Sequence, residues 1–556
     1  MIFGGSAFSE TAFGEQDHVV VDTPAVVSFL ADPSAERCLL LEIDSLSLAT
    51  SGAASGAFSA AAFGEMGFGD DSAGVTGGIN TLTWSSHGFI SQDTDTPASS
   101  WYDGRVKDNI VLERAIIGRG GVGGLSRVTA QISLSNPDGA LDTLAADYAI
   151  DGRACRILMG REDEARAVFG TLFAGVVQSV STSALDGKSA SVLTLSLSDG
   201  LARLAVPVQS TRYAGSGGTE GGADLKGKPK PRAFGKVFNV TPPLVDSTNL
   251  IYQVNSAQIN DVTAVRDRGV ALTKVAGAPA AGEYQVTVGS GTFKLGATPA
   301  GTITCDVEGD ASAEGYITTT SEIVRRLLGE VLTSSDIDAA SFANLKASAP
   351  APVGVWIGAE ERGLDSVVDE LLAGVGAFGG FSRAGYFTVG LVAAADGPAT
   401  ASFSEQEIKG IERRPLANID PLVWSVRVGY QKNYTVQSDI AAGALAAART
   451  FAAQPYRVSS RLDAAIKSRR LLAREYAVDA LYRDVADADT EAQRLFDLWS
   501  VSRAPFKVRL PPAALICDIG SVVDVQHSRH GLAAGKSTRV IGYSLRGWDV
   551  ELTVIA

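Results

Sequence analysis

The stretch from Ala223 to Val245 reads ADLKGKPKPRAFGKVFNVTPPLV, and it decides how the middle of the chain is interpreted. Residues 222–228 match the first seven positions of the nucleotide-binding pattern G-x-x-x-x-G-K, whose eighth residue is Ser or Thr. Here the eighth residue is Pro229, which has neither a hydroxyl to bind magnesium nor an N–H. A phosphate site also needs a helix at this point, whereas Ala233 to Val240 has the composition of a strand. The stretch therefore predicts a basic, proline-stiffened surface connector that leads into a β-strand.

Length and composition indicate a folded protein of several domains. A chain of 556 residues exceeds what one hydrophobic core supports, so two to four domains are expected. Hydrophobic residues make up 45% and charged residues 20%, which is typical of globular proteins. No stretch reaches the roughly 18 apolar residues that a membrane helix requires, so we expect no stable membrane insertion. The first residues lack the basic and apolar regions of a secretory signal, which predicts synthesis and folding in a cytoplasm.

Cysteine and histidine patterns indicate no metal or cofactor site. No two of the four cysteines form a C-x-x-C pair, so isolated buried thiols are predicted. His527 and His530 are close enough in sequence to bind a metal, but their hairpin-like surroundings favour a solvated loop. The cysteines are Cys38, Cys155, Cys305 and Cys517.

The formal net charge is −14, which argues against binding nucleic acid through its phosphates. It is compatible with DNA that passes without sticking, because a negative wall repels a negative polymer. It is equally compatible with simple solubility.

The first 80 residues contain a repeated aromatic motif. Phe8 to Glu15 reads FSETAFGE and recurs at Phe58 to Glu65 as FSAAAFGE. Small residues with spaced phenylalanines do not build a core alone, but their rings can anchor an extended segment on a neighbour. We therefore predict two assembly arms, residues 1–17 and 51–79; the alternative is that they pack on their own chain. The anchoring side chains of this hypothesis are Phe3, Phe8, Phe13, Phe58, Phe63 and Phe68.

Most of the remaining chain has the alternation of β-strands. Trp424 to Tyr430 is a clear example, and the strands of residues 80–210 are separated by turn residues such as Asn136 to Gly139. The motif Gly118 to Gly123 fits the dinucleotide pattern G-x-G-x-x-G, but an alternating strand follows it, so a glycine-rich hairpin is predicted. Helices are expected after residue 318, first at Glu322 with Thr320 or Ser321 as its cap, and later from Asp484 to Ser502. The fold class is therefore mainly β with a smaller α+β part, in several sandwich or barrel domains.

The order of these blocks resembles a family of tail proteins from siphophages and prophages. The last third is similar in layout to the baseplate-hub and tail-tip proteins of lambda-like and contractile tails. The resemblance covers roughly residues 18–556, and its most specific blocks are 225–254 and 101–108. The blocks that carry it are 37–44, 85–89, 101–108, 136–142, 151–153, 225–254, 265–270, 518–527 and 539–543.

The resemblance implies a hub that closes the tail tube, as a homotrimer that carries fibres or a spike. The implied partners are the distal tail protein, the tape-measure protein and fibre or spike proteins, with transient passage of DNA, in a virion tail tip. It brings no catalytic residues, and the iron–sulfur cluster of some hub relatives does not transfer because this chain lacks clustered cysteines. The predicted regions are arms with interleaved strands (1–80), a β-rich hub domain (81–232), a small β-module (233–315), an α+β hub domain (316–480), and a helix with a C-terminal β-domain (481–556).

Enzyme motifs are absent from the sequence, and no catalytic residue is predicted. Glu360 and Glu361 form the best-placed carboxylate pair, but their position before a helix has an ordinary electrostatic explanation. The chain contains neither the H-E-x-x-H motif of zinc peptidases nor the G-x-S-x-G motif of serine hydrolases. The alternative to a hub is a peripheral receptor- or carbohydrate-binding tail protein, with an aromatic cleft built from Trp84, Trp101 and Tyr102.

Overall fold

A computed structural model describes residues 30, 36–47, 79–107, 109–118, 121–183, 191–313, 315–414 and 422–556. The fold is mainly β with a smaller helical part, which confirms the fold class predicted from the sequence. Several sheets surround three main hydrophobic cores.

Strands dominate the first part of the chain. Between residues 37 and 198 the elements are β1 (Arg37–Ser47), β2 (Ile79–Ser85), β3 (Phe89–Ile90), β4 (Trp101–Gly104), β5 (Val111–Ala115), β6 (Ile117–Gly118), β7 (Gly121–Val122), β8 (Gly124–Leu125), β9 (Thr129–Ser135), helix α1 (Leu144–Asp147), β10 (Tyr148–Ala149), β11 (Ala154–Arg161), β12 (Gly170–Ser183) and β13 (Val192–Ser198). Between residues 232 and 310 they are β14 (Arg232–Val240), β15 (Leu244–Asp246), β16 (Ile251–Gln253), β17 (Ile259–Asp267), β18 (Val270–Ala271), β19 (Thr273–Lys274), β20 (Glu283–Thr287), β21 (Thr292–Leu295) and β22 (Ile303–Asp310).

Helices alternate with strands in the second part. Between residues 320 and 430 the elements are α2 (Thr320–Leu328), α3 (Ala339–Ser348), β23 (Gly354–Ile357), α4 (Leu364–Gly374), β24 (Ala377–Phe381), β25 (Phe387–Leu391), β26 (Ala401–Phe403), β27 (Gly410–Arg413) and β28 (Val423–Tyr430). The remaining elements are α5 (Ala446–Ala452), β29 (Arg457–Leu462), α6 (Ala464–Arg469), β30 (Arg474–Asp479), α7 (Val485–Trp499), β31 (Pro505–Leu510), β32 (Val522–His527), β33 (Leu532–Arg546) and β34 (Asp549–Ile555).

The largest sheet joins distant parts of the chain. Its main path runs β27-β31-β34-β33-β5-β9-β13-β12-β11-β1-β2-β4-β3, and β5 connects the two halves by pairing Glu113 with Ser544. In β1, Leu39, Leu41 and Ile43 point to one face and enter the first core. The first core therefore contains side chains from both the N-terminal strands and the strands after residue 503.

The other two cores are packed around helices and around a small β-module. The second core collects the buried faces of α2, α4 and α7 together with β24, β25 and β28. The third lies between the sheet β18-β17-β22-β14-β23 and the sheet β15-β16-β21-β20-β19. The domain limits expected near residues 80, 232, 315 and 480 stay a prediction.

Local signals agree with the structure at most turns and fail at one helix cap. Around the glycine-rich motif, β6 and β7 form an antiparallel pair in which Gly118 lies opposite Gly121, as the predicted hairpin requires. Helix α2, however, is capped by Thr319 and not by Thr320 or Ser321, because Thr319 and Glu322 form a reciprocal capping box. Thr320 and Ser321 are buried within the first turn of the helix.

Candidate functional site

The predicted arm residues lie outside the part of the chain that the structure describes. Phe3, Phe8, Phe13, Phe58, Phe63 and Phe68 all belong to this set. The arms therefore stay a prediction. The first described residue, Leu30, is buried in the first core and fixes the chain there.

The nucleotide-like stretch is a connector, as the sequence predicted. The N–H of Lys230 donates to the carbonyl of Thr211 at 2.9 Å, and the N–H of Lys228 donates to Leu225 at 2.9 Å. The Lys230 ammonium binds Glu220 at 2.5 Å. These donors are already used within the chain, and the segment runs directly into β14. A phosphate cradle needs free, converging N–H groups, which this arrangement does not offer.

Three of the blocks that carry the tail-protein resemblance meet around two ionic clusters. Arg105 donates to Asp103 at 2.6 Å and binds both oxygens of Asp138 at 2.8 and 2.6 Å. This arginine joins the block at 101–108 to the block at 136–142. The two carboxylates raise the pKa of Arg105 further above its usual range, so the guanidinium stays charged.

A second cluster connects the block at 37–44 to the block at 101–108. Arg166 donates to both carboxylate oxygens of Glu42 at 2.9 and 2.7 Å, and the Tyr102 hydroxyl donates to Glu42 at 2.6 Å. All three side chains are buried. A buried charge needs such complete pairing, so this cluster fixes β1, β4 and the turn at residues 166–168 relative to one another.

The block at 225–254 connects the second and third cores. Arg232 makes two hydrogen bonds of 2.7 Å to Glu330, which lies just after α2. Asn239 donates its side-chain amide to Asn433 and to the carbonyl of Thr435, both at 2.8 Å. These contacts hold β14 against elements almost 200 residues away in sequence.

The aromatic cleft of the carbohydrate-binding alternative does not form. Trp84 is 6% exposed and Tyr102 is 0% exposed, so both are core residues. Trp101 is 58% exposed, because adjacent residues of β4 point to opposite faces. Its exposed partner is Ile90 on β3, which lies opposite Trp101 in the strand register.

Two acidic side chains relevant to a catalytic role, Glu361 and Asp199, have structural partners. Glu361 pairs with Arg212 ahead of α4. Burial raises the pKa of Asp199 to about 6, but this side chain accepts hydrogen bonds from the N–H groups of Val128 and Leu201 at 2.6 and 3.2 Å. Burial likewise raises the pKa of Asp44 to about 6.

No metal-binding group of three or more His, Cys, Asp or Glu side chains occurs within the described ranges. His527 and His530 lie at the β32–β33 turn with ring centroids 6.4 Å apart, and His527 lies 3.7 Å from Glu405. All four cysteines are buried, as predicted, and burial raises the pKa of Cys517 to about 12. Among the helices that the structure describes, none is long and apolar enough to cross a membrane.

One surface feature has no explanation from the sequence. A groove of about 670 Å³ crosses the outer face of the largest sheet, where β31, β34, β33 and β5 are neighbours. We call it the charged groove. Its charged lining residues are the cations Arg114, Arg127, Arg414, Lys507, Arg509 and Arg546 and the anions Glu113, Asp549 and Glu551.

Comparison with known proteins gives matches at the level of structure. No family model matches the chain, and no curated protein matches it. It is similar to a tail protein from Neisseria meningitidis MC58, with 10% identity, a TM-score of 0.37 and coverage of 84% of this chain and 95% of that chain. It is similar to the 43 kDa tail protein of prophage MuSo2 from Shewanella oneidensis, with 9% identity, a TM-score of 0.37 and coverage of 83% and 96%.

A third similarity is to a chain of the native gene transfer agent virion, with 14% identity, a TM-score of 0.39 and coverage of 59% of this chain and 84% of that chain. TM-scores this low do not transfer a function. These three solved structures are thus two tail proteins and a chain of a gene transfer agent virion.

Proposed function

We propose that this chain is a structural protein of a phage tail, the baseplate hub or tail-tip protein of a siphophage with a lambda-like tail. In this role it closes the tail tube as a homotrimer in the virion. It joins the tube to the distal tail protein, the tape-measure protein and the fibres or spike. Synthesis takes place in the host cytoplasm, and the DNA leaves through a channel along the axis.

One observation carries the proposal. Several residues of the sequence blocks on which the tail-protein resemblance rests hold different elements together. Glu42 pairs with Arg166 and Tyr102, Arg105 pairs with Asp138, and Arg232 pairs with Glu330. Residues whose shared role is to fix strands and cores fit an architectural protein better than an enzyme, whose characteristic residues converge on one pocket.

The net charge of −14 fits the channel part of the proposal. A wall with excess negative charge repels phosphates, so DNA slides past it instead of binding. Which residues face this channel is set by the oligomer.

A cryo-electron-microscopy map of the particle that contains this chain tests the proposal. We expect threefold density around the tail axis at the end of the tube. Copies placed at the periphery would contradict the hub and would support the receptor-binding alternative instead. The exposed pair of Trp101 and Ile90 would then be the surface to examine, because large exposed apolar side chains mark binding sites.

A further inference from the structure

We infer that the charged groove is the binding site for residues 1–17 of a second copy of this chain. The inference rests on the proposed function, because it supplies one contact by which copies assemble. It goes further by naming both surfaces.

The groove has an excess of positive charge in a negatively charged protein. Six cations and three anions line it, a local balance of 6 − 3 = +3, whereas the whole chain carries −14. Four of the cations are already paired: Lys507 contacts Glu551, Arg546 lies 2.9 Å from Glu113, Arg414 lies 3.0 Å from Glu412, and the buried Arg114 lies 3.7 Å from Asp518.

Two groove cations lack such partners. Arg127 and Arg509 are exposed and make no ion pair with any residue that the structure describes. The Arg509 guanidinium lies across Gly410 of the neighbouring strand, where a Cβ would come within 2.9 Å of it. Because Gly410 has no side chain, the Arg509 guanidinium is accessible from the groove.

Residues 1–17 have the complementary chemistry. They contain three acids, Glu10, Glu15 and Asp17, and neither Lys nor Arg, which gives −3 against the +3 of the groove. Their three phenylalanines suit walls made of arginine and lysine stems, because a guanidinium or ammonium binds the face of an aromatic ring.

The chain has enough length to reach a neighbour. Leu30 is held in the first core, so residues 18–29 form a connection of 12 residues. Such a segment spans up to about 40 Å when extended. This is comparable with the width of a domain, so residues 1–17 are able to reach the groove of an adjacent copy.

A charge exchange in the full chain tests the inference. The groove variant is Arg127→Glu with Arg509→Glu, and the arm variant is Glu10→Lys, Glu15→Lys and Asp17→Lys. Self-association is measured by sedimentation velocity at low salt. We expect each variant to weaken association about tenfold or more, and we expect the combined variant to recover it to within about threefold. Arg470→Glu with Lys536→Glu is the matched control, since both residues are exposed and outside the groove.

Mixing the two variants decides whether the arm acts between copies. The groove variant keeps the original arm, and the arm variant keeps the original groove. In a mixture, the arm of the first variant can therefore bind the groove of the second, so the mixture associates if binding is between copies. If the mixture stays dissociated, or the combined variant shows no recovery, the inference is wrong. A groove variant that loses affinity for labelled duplex DNA but keeps its association would assign the groove to DNA and would also overturn it.

These results are independent of the particle map. Failure of the charge exchange leaves an axial position in the map unaffected. Peripheral copies in the map would remove the hub without altering the association data. Circular dichroism and thermal midpoints of each variant show that any loss of association does not come from unfolding.

Discussion

The phenolic oxygen of Tyr102 lies 2.6 Å from Oε1 of Glu42, inside a part of the protein from which solvent is excluded. Burial and the adjacent carboxylate raise the pKa of Tyr102 well above its usual range. The hydroxyl therefore stays protonated and donates a hydrogen bond to Glu42. Arg166 occupies the same carboxylate from the other side. A strand near the start of the chain is thereby fixed to a turn more than a hundred residues later.

The two interactions of Glu42, with Tyr102 and with Arg166, should differ in their contribution to stability. Tyr102→Phe removes one neutral donor, and we expect the free energy of unfolding to fall by about 1–2 kcal/mol. Glu42→Gln leaves the Arg166 guanidinium buried without its counter-charge, and we expect a loss of about 3–5 kcal/mol. Urea denaturation at pH 7 measures both. Asp163→Asn breaks an exposed pair with Arg161 and should not shift the midpoint measurably. A Glu42→Gln shift as small as that of this control would contradict the reading.

Asp44 should make stability depend on pH. Burial raises its pKa to about 6, whereas an aspartate in the unfolded chain titrates near 4. The folded protein therefore holds this proton more tightly, and stability from this group falls as the pH rises from about 4 to 6.

Asp44→Asn removes this dependence, because the amide stays neutral. Relative to the parent, the variant should gain roughly 2–3 kcal/mol in unfolding free energy between pH 4 and pH 7. Paired urea titrations at the two pH values measure the gain, with the exposed Asp93→Asn as control. A difference that is the same at both pH values would show that Asp44 does not titrate in this range.

The cap of α2 gives a third prediction. Thr319→Ala removes the side-chain acceptor that the Glu322 N–H uses and should cost about 1 kcal/mol. Thr490→Ala is the control, since Thr490 is exposed within α7 and alanine has the higher helix propensity. Thermal unfolding midpoints compare the two. Equal midpoints would mean that Thr319 does not cap the helix.

The tryptophans give a fourth prediction. Trp499 is 2% exposed in the second core, and Trp499→Ala should cost about 3–5 kcal/mol. Trp101→Ala should cost less than about 1 kcal/mol, because that ring is mostly outside the core. If Trp101→Ala instead abolishes attachment of the particle to its host while stability is unchanged, the receptor-binding alternative gains support. The two denaturation curves and an adsorption assay decide this.

Local pattern was sufficient to predict many of the strands. Trp424 to Tyr430 alternates because Val426 and Val428 face the second core while Arg427 faces solvent. Such alternation depends only on neighbouring residues, so it is visible in the sequence. The capping box of α2 is equally visible in the sequence, since Thr319 precedes Glu322 by three positions.

Long-range pairing was not predictable in the same way. Ser544 pairs with Glu113, and nothing near either residue identifies the other. The charged groove has the same origin, because its cations come from five separate segments that meet only in the folded protein. The prediction of an aromatic cleft was wrong for a different reason. Trp101 and Tyr102 are neighbours in sequence, but they point to opposite faces of β4.

The pairing of β5 with β33 also means that this part of the sheet forms only late in translation. After Glu113 is made, 431 more residues must be added before Ser544 exists to pair with it. At the usual rates of translation this takes roughly 20–90 s. During that time the edge of β5 has no neighbour from β33, and nascent chains crowded on one messenger could pair with each other instead. A chain that ends before β33 lacks the strand that joins the two halves of this sheet, so only a chain synthesised through β33 forms the complete sheet.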